Sequence, residues 1–297
     1  MSSVKKADRT GQEKNRVQEG TLYLVATPIG NLADLSERAI KILAEVDFIA
    51  AEDTRNSMRM LTHLGISRPM VSYFEHNKRE RGEQIADRLA GGESCALITD
   101  AGTPAISDPG EDIVALCAER GIPVTAVPGP VASIVALTLS GLPTGRFTFE
   151  GFLSVNKADR REALAALKQE KRTMLFHEAP HKLRATLSDF SDTFGPSRRI
   201  AICRELTKLN EEILRMTVGE AVEYYKERDP RGEYVLVLEG AADTDANTSD
   251  AFWTSLDIPT HVEHYIAQGL SKMDAIKQTA RDRSLPKNTV YQYMVGE

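Results

Sequence analysis

Two stretches carry residue types whose spacing could do chemistry. The first is HEAPH, His177–His181, which matches the H-E-x-x-H pattern of zinc hydrolases. That chemistry needs both imidazoles one turn apart on a continuous helix, with the glutamate as base. Pro180 lies inside the pattern, where its missing N–H and its ring would cost a helix about 3 kcal/mol. The preceding TMLF reads as a strand, so the pattern predicts a decoy and no metal site. The second stretch is Thr99–Gly110, TDAGTPAISDPG. Gly102 and Gly110 permit close approach and unusual backbone angles, and Pro104 and Pro109 stiffen the loop. Its backbone N–H and C=O groups could hold a polar small molecule without lysine or metal. No GxxxxGK[ST], GxGxxG or GxSxG is present. This argues against a P-loop, the usual dinucleotide fingerprint and a nucleophile elbow.

Elements must position that loop. Apolar runs at 21–26, 47–52, VSYF, 94–99 and 123–127 read as strands, with helical periodicity between them. Asp34 and Glu37 form a capping-box pattern before the first helix. Strands alternating with helices predict a mainly parallel sheet with both faces covered. Ligands bind such sheets outside the carboxyl ends of the strands, where TPIGN, TDAGTPAISDPG and PGPVAS fall. A second α/β domain with a mixed sheet is expected from Phe147, in the order βαβαββαβ. The division read from the chain is a flexible polar tail at 1–19, α/β domains at 20–145 and 146–240, a linker at 241–250 and a small helical module at 251–297. In that module, Ser271 and Asn288 are placed to cap helices at helix-turn-helix spacing.

Composition narrows the class. Hydrophobic residues make up 41% of 297, which suits a globular protein. The chain has no apolar run of about 18 residues, the length that would span a membrane. The N-terminus has no secretory signal pattern. Cys95, Cys117 and Cys203 are far apart and two lie in apolar runs, so buried thiols and a cytoplasmic location are expected. A net charge of −6 argues against a generally basic nucleic-acid coat. Local basic faces remain available in 1–19, 157–172 and 271–291.

At the loops, the chain resembles a known family. VATPIGNLADLSERAI, AEDTRNSMRMLTHLGI, HNKRERGEQI, ITDAGTPAISDPG, VPGPVASIVALTLSGLP, FHEAPHKL, RELTKLNEEI and GEYVLV match it in order. It is the tetrapyrrole methylase-like class of S-adenosylmethionine methyltransferases. The branch it most resembles 2′-O-methylates a cytidine in the decoding region of 16S rRNA, in the small ribosomal subunit. The resemblance implies S-adenosylmethionine in a cleft between the two α/β domains, and a homodimer. It places the cofactor on Thr27, Pro28, Asp100, Ala101, Gly102, Thr103, Ile106, Pro128, Val131, Ala132, Leu206 and Glu233. Thr103 stands where the wider family has an acid, so the loop is expected to bind through backbone and shape. On that basis Glu178 and Asp100 are candidate proton acceptors. Lys208, with Glu178, is assigned to catalysis. Arg204, Asn31, Asp53, Arg55 and Asn56 are assigned to the nucleotide.

Overall fold

The computed structural model describes residues 16–242, 252–283 and 285–295. Most of the expected N-terminal tail (1–15) and of the linker (243–250) therefore lies outside the described residues. The chain forms two compact units, with the division after Ala241. Both sheets fall within the first unit.

The first sheet contains β1 (Leu22–Val25), β2 (Phe48–Ala51), β3 (Met70–Ser72), β4 (Cys95–Ile98) and β5 (Val124–Val127). All its pairings are parallel, in the order β3-β2-β4-β1-β5. β2 and β4 are buried at every position. Apolar cores lie on both faces, as a parallel sheet requires. The helices are α1 (Glu37–Glu45), α2 (Thr54–His63), α3 (Lys78–Ala90), α4 (Gly110–Glu119) and α5 (Ala132–Ser140). The expected capping box at Asp34 gives way to a 3-10 turn, Leu32–Asp34, whose N-cap is Asn31. Ser36 caps α1 instead, its Oγ accepting from the Ala39 N–H at 3.1 Å. Such a cap contributes about 1 kcal/mol.

The strand order has one functional consequence. β4, β1 and β5 are neighbours, so the three loops picked out by composition emerge side by side. The loop after β1 is tied to the loop after β4 by mutual backbone bonds between Thr27 and Gly102, at 2.9 and 3.0 Å.

The second sheet follows the expected order: β6 (Phe147–Phe152), α6 (Lys157–Ala166), β7 (Thr173–Glu178), α7 (Pro180–Phe194), β8 (Arg199–Arg204), β9 (Glu212–Thr217), α8 (Val218–Lys226) and β10 (Tyr234–Leu238). Its spatial order is β6-β7-β10-β8-β9, with β6 and β7 parallel and the other pairs antiparallel. Strand alternation gives it two faces. Met174, Phe176, Ile200 and Ile202 face α7 and α8. Leu175, Ala201, Cys203, Val235 and Val237 face α5 and share a core with Ala136 and Leu137. One side of α5 is thus covered by the second sheet, while Ile134 on it remains 40% exposed. All three cysteines are free, buried thiols.

The second unit holds α9 (Ile258–Ala267), α10 (Lys272–Asp282) and α11 (Lys287–Val295) around a small core of Val262, Ala275, Ile276 and Val290. Ser271 caps α10, accepting from Asp274 N–H at 3.2 Å. Asn288 does not cap α11. It lies inside the helix, whose first turn is closed by bonds from Thr289 and Val290 to the Pro286 carbonyl. No helix among the described residues is long and apolar enough to cross a membrane.

Candidate functional site

A cavity of about 370 Å3 opens where the loop after β4 and the start of α5 meet the ends of β7, β8 and β10. The first sheet contributes Ile29, Ala101, Gly102, Thr103, Ile106, Val131 and Ala132. The second contributes Phe152, His177–Pro180, Cys203, Leu206 and Glu233–Val235. The volume is within the range of about 300–1,000 Å3 typical of small-molecule sites.

Backbone strain is concentrated on this cavity. Outside glycine, left-handed residues among those described are Ala105, Ser107, Glu205 and Thr207. They flank Ile106 and Leu206, two apolar residues of the lining. Strain of this kind costs about 1–3 kcal/mol per residue and persists only where the surroundings enforce it. In the first loop the enforcer is Asp108. Its carboxylate accepts from the N–H groups of Ala105 at 3.0 Å, Ile106 at 3.1 Å and Gly110 at 2.7 Å. Thr103 is used internally as well, its Oγ1 donating to the Pro130 carbonyl at 3.0 Å. That bond ties the loop after β4 to the loop after β5. The lining from this sheet is therefore backbone and aliphatic surface.

Not all the expected cofactor residues reach this cavity. Thr27, Pro28 and Asp100 line a second one, of about 240 Å3, with Gly30, Leu32, Asn56, Ser57, Met60 and Thr99. The Thr27–Gly102 bridge separates the two, with Gly102 lining the first and Thr27 the second. Pro128 lines neither.

Glu178 requires a correction. It borders the first cavity, but it is 2% exposed. One carboxylate oxygen accepts from the Ala179 N–H at 2.8 Å and lies 3.1 Å from Lys182 Nζ, and the other accepts from Thr186 Oγ1. Strand alternation puts Glu178 on the Phe176 face, toward α7. Its carboxylate anchors the start of that helix. Arg204 is corrected for the same reason. It follows Cys203 and falls on the Ile202 face, where it lies 3.4 Å from Glu212 in a separate small cavity. HEAPH is split between two elements: His177 ends on β7, while Pro180 opens α7 at its first position, where proline fits.

The nucleotide candidates of the first domain divide. Asn56 faces the second cavity, its Nδ2 3.5 Å from Asp100 Oδ2. Asp53 caps α2 and pairs with Arg55 at 3.2 Å. Asn31 caps the 3-10 turn. These three line neither cavity.

Lys208 lines neither cavity, but its stem packs against Gly30 of the second and its ammonium meets Glu233 of the first. A side chain at Gly30 would collide with the Lys208 stem, and would stand 2.9 Å from Thr207 Oγ1 and 3.0 Å from the Leu206 carbonyl. The Lys208 ammonium donates to Glu205 at 2.9 Å and to Glu233 at 2.8 Å. Burial pulls its pKa down, but the bonds to Glu233 and Glu205 outweigh it and the net shift is upward. Lys208 is therefore a fixed cation beside the cavity, not a base.

Sequence spacing missed His177 as a lining residue because its pattern drew attention to metal chemistry. Alternation along TMLFHE carried the signal: His177 shares parity with Leu175. Spacing also missed Glu52, which follows β2, the strand beside β4. Burial, and then the charge of Asp100, raises its carboxyl above the ordinary range. A raised folded-state pKa means the fold is penalised once pH exceeds the ordinary carboxylate value, about 4.3. Glu52→Gln should therefore raise the Tm at pH 8, with the gain shrinking toward pH 4. An unchanged Tm at pH 8 would contradict this.

Comparison with known proteins gives the family. The family described as Tetrapyrrole (Corrin/Porphyrin) Methylases matches residues 21–222. A protein of Halalkalibacterium halodurans named ribosomal RNA small subunit methyltransferase I is 48% identical, over 94% of this chain and 96% of the relative. The Bacillus subtilis protein of that name is 44% identical, over 92% of this chain and 93% of the relative. Among solved structures, uroporphyrin-III C-methyltransferase from Thermus thermophilus, in complex with S-adenosylhomocysteine, superposes with a TM-score of 0.51. It is 19% identical and covers 74% of this chain and 97% of its own, which speaks to the fold alone. The chain belongs to the tetrapyrrole methylase family, on the branch that holds the relatives named ribosomal RNA small subunit methyltransferase I.

Proposed function

We propose that this chain methylates the 2′-hydroxyl of a cytidine in the decoding region of 16S rRNA, with S-adenosylmethionine as donor. The observation that carries the reading is the pair of cavities back to back across the Thr27–Gly102 bridge. The relatives' names point to ribosomal RNA, and the complex of the Thermus neighbour points to the donor.

The first cavity fits the donor. Gly102, Thr103, Ile106, Val131 and Ala132 would hold it from one sheet, and Leu206 and Glu233 from the other. When bound, S-adenosylmethionine supplies an electrophilic methyl group on sulfur. The chain's own contribution is alignment of the reacting groups, mainly a proximity effect. The acceptor ribose must come into contact with the methyl group in the first cavity, with Asn56 and Asp100 of the second toward the rest of the nucleotide. Asp100 replaces Glu178 as the group that orients or accepts the hydroxyl proton, because its carboxylate is exposed and faces that cavity. Lys208 steadies negative charge between Glu233 of the first cavity and Gly30 of the second. A homodimer, implied by the family resemblance, belongs to the same proposal and is read by light scattering.

The acceptor class is tested by offering labelled S-adenosylmethionine with either undermethylated 30S subunits or a porphyrin precursor. Label should enter the subunits. Incorporation into the porphyrin alone would replace this reading with methylation of a small acceptor.

The helical unit is assigned to subunit binding, since α10 exposes Lys277 and Arg281 one turn apart, with Lys277 also paired to Asp274. Removing residues 251–297 should weaken binding to 30S subunits and make its dependence on salt shallower, while leaving affinity for S-adenosylhomocysteine unchanged. Equal subunit affinity of the truncated and full chains would contradict this role.

A further inference from the structure

One helix beside the second cavity carries positive charge that the fold leaves unmatched. α2 reads TRNSMRMLTH and contains no carboxylate. Arg59 and His63 are exposed, and neither side chain has a hydrogen-bond or ion-pair partner among the described residues. Arg55 reaches only Asp53, the N-cap of its own helix, and keeps 88% of its side chain exposed. Elsewhere in the first unit exposed cations are commonly matched, as Lys41 is by Glu45 on α1 and Arg120 by Asp87 on α3. Met58, on the other side of Arg55, is an apolar side chain left 51% exposed.

Helix geometry places this charge next to the cavity. At about 100° per residue, and measured from Arg55, Arg59 falls at about 40°, His63 at about 80°, Asn56 at about 100° and Met60 at about 140°. Asn56 and Met60 line the second cavity. Arg59 and His63 therefore stand on the flank of the helix between that cavity and its outermost side. Each step of the stripe Arg55–Arg59–His63 rises by about 6 Å, which is close to the step between phosphates along an extended nucleic-acid strand.

We infer that this stripe holds the phosphates of the single RNA strand flanking the acceptor nucleotide, and leads that strand over the Asn56–Met60 edge to the site. The inference rests on the RNA reading proposed above and adds the surface that carries the strand. With a net charge of −6 the protein has no general attraction for nucleic acid, so local charge has to supply it. Proteins that hold single strands track the backbone with such charge. Phosphate contacts fix position and register without reading sequence. Guanidinium groups suit them, since each can pair with phosphate through two parallel hydrogen bonds.

Binding of the full chain to undermethylated 30S subunits over a salt series tests this, with calorimetric titration of S-adenosylhomocysteine alongside. Arg59→Gln should weaken subunit affinity by about tenfold, the worth of one hydrogen bond to a charged group. It should also reduce the salt slope by about one, and Arg55→Gln/Arg59→Gln should reduce it by about two. Arg59→Lys should keep the wild-type slope. The control is Arg81→Gln on α3, which packs against the opposite face of the first sheet and should bind as wild type does. Met58→p-benzoylphenylalanine should crosslink to 16S rRNA next to the methylated nucleotide. An unchanged salt slope in the double variant would overturn the inference. An equal loss in Arg81→Gln would overturn it by removing its link to α2, and a matching loss of S-adenosylhomocysteine affinity would reduce Arg59 to a structural role. Crosslinks confined to a subunit protein would replace the RNA strand with a protein partner. If wild type neither binds nor methylates 30S subunits, the RNA reading falls and the stripe's role falls with it.

Discussion

Lys208→Met is expected to lower methyl transfer to 30S subunits by about 100-fold, the usual cost of removing one group that stabilises developing charge. The ammonium is held between Glu205 and Glu233, and its stem is packed against Gly30. It is therefore pre-positioned between Glu233, which lines the first cavity, and Gly30, which lines the second. Without it, Glu205 and Glu233 remain as two negative charges at the rim, and Glu205 loses the bond that chiefly holds its carboxyl below the ordinary range. The loss should fall mainly on kcat in single-turnover assays, and affinity for S-adenosylhomocysteine should change by less than the rate. Lys208→Arg should recover part of the rate, because it restores the charge with a different shape. A single-turnover rate of Lys208→Met within threefold of wild type would remove Lys208 from the catalytic account.

The largest effect on stability should come from Asp189→Ala. Asp189 is 3% exposed on α7. Its carboxylate accepts from Arg160 Nε at 2.8 Å and from Arg161 Nε at 2.9 Å. Arg160 is itself 7% exposed and also donates to the Ser154 and Val155 carbonyls. Truncating the carboxylate strands a buried guanidinium, which typically costs about 3–5 kcal/mol. Burial raises the Asp189 pKa, but its bonds to Arg161 and Arg160 outweigh this and leave it lowered. A depressed folded-state pKa supplies stability above the unfolded value and loses it as pH falls through the folded value. The gap between wild type and Asp189→Ala in urea denaturation should therefore be full at pH 7 and narrow in acid. The double variant Arg160→Met/Asp189→Leu should recover much of the loss, because a well-packed apolar pair avoids the desolvation cost. A deficit below about 1 kcal/mol at pH 7 would show that the pair is screened and dispensable.

The elements were legible because their signals are local. Apolar runs, glycine stops and the order βαβαββαβ follow from period and turn chemistry along short windows. The three loops were legible for the same reason. Their convergence was not, since it depends on β1 lying between β4 and β5, and pairing order is non-local. The site residues show the same split. Gly102, Thr103, Ile106, Val131, Ala132, Leu206 and Glu233 line one cavity. Thr27, Pro28 and Asp100 were grouped with them along the chain, but the Thr27–Gly102 bridge puts them on its other side. Strand parity puts Glu178 and Arg204 on the helix-covered face of the second sheet, so that Glu178 only borders the first cavity and Arg204 lines another. His177 was passed over although the same parity turns it toward the cavity. The bulge between Phe149 and Gly151 that brings Phe152 beside it needs the register of two strands to be seen.

The measurement that bears most directly on the central claim is the identity of the methylated nucleoside. Undermethylated 30S subunits are incubated with the chain and labelled S-adenosylmethionine. The 16S rRNA is then hydrolysed with alkali and the labelled product is resolved by mass spectrometry. Alkaline cleavage requires a free 2′-hydroxyl, so a 2′-O-methyl group leaves its phosphodiester intact. The expected result is a single labelled, alkali-resistant dinucleotide with 2′-O-methylcytidine on its 5′ side, from the decoding region. Label on a base, or on a nucleotide whose 3′ linkage is cleaved, would contradict the proposed reaction.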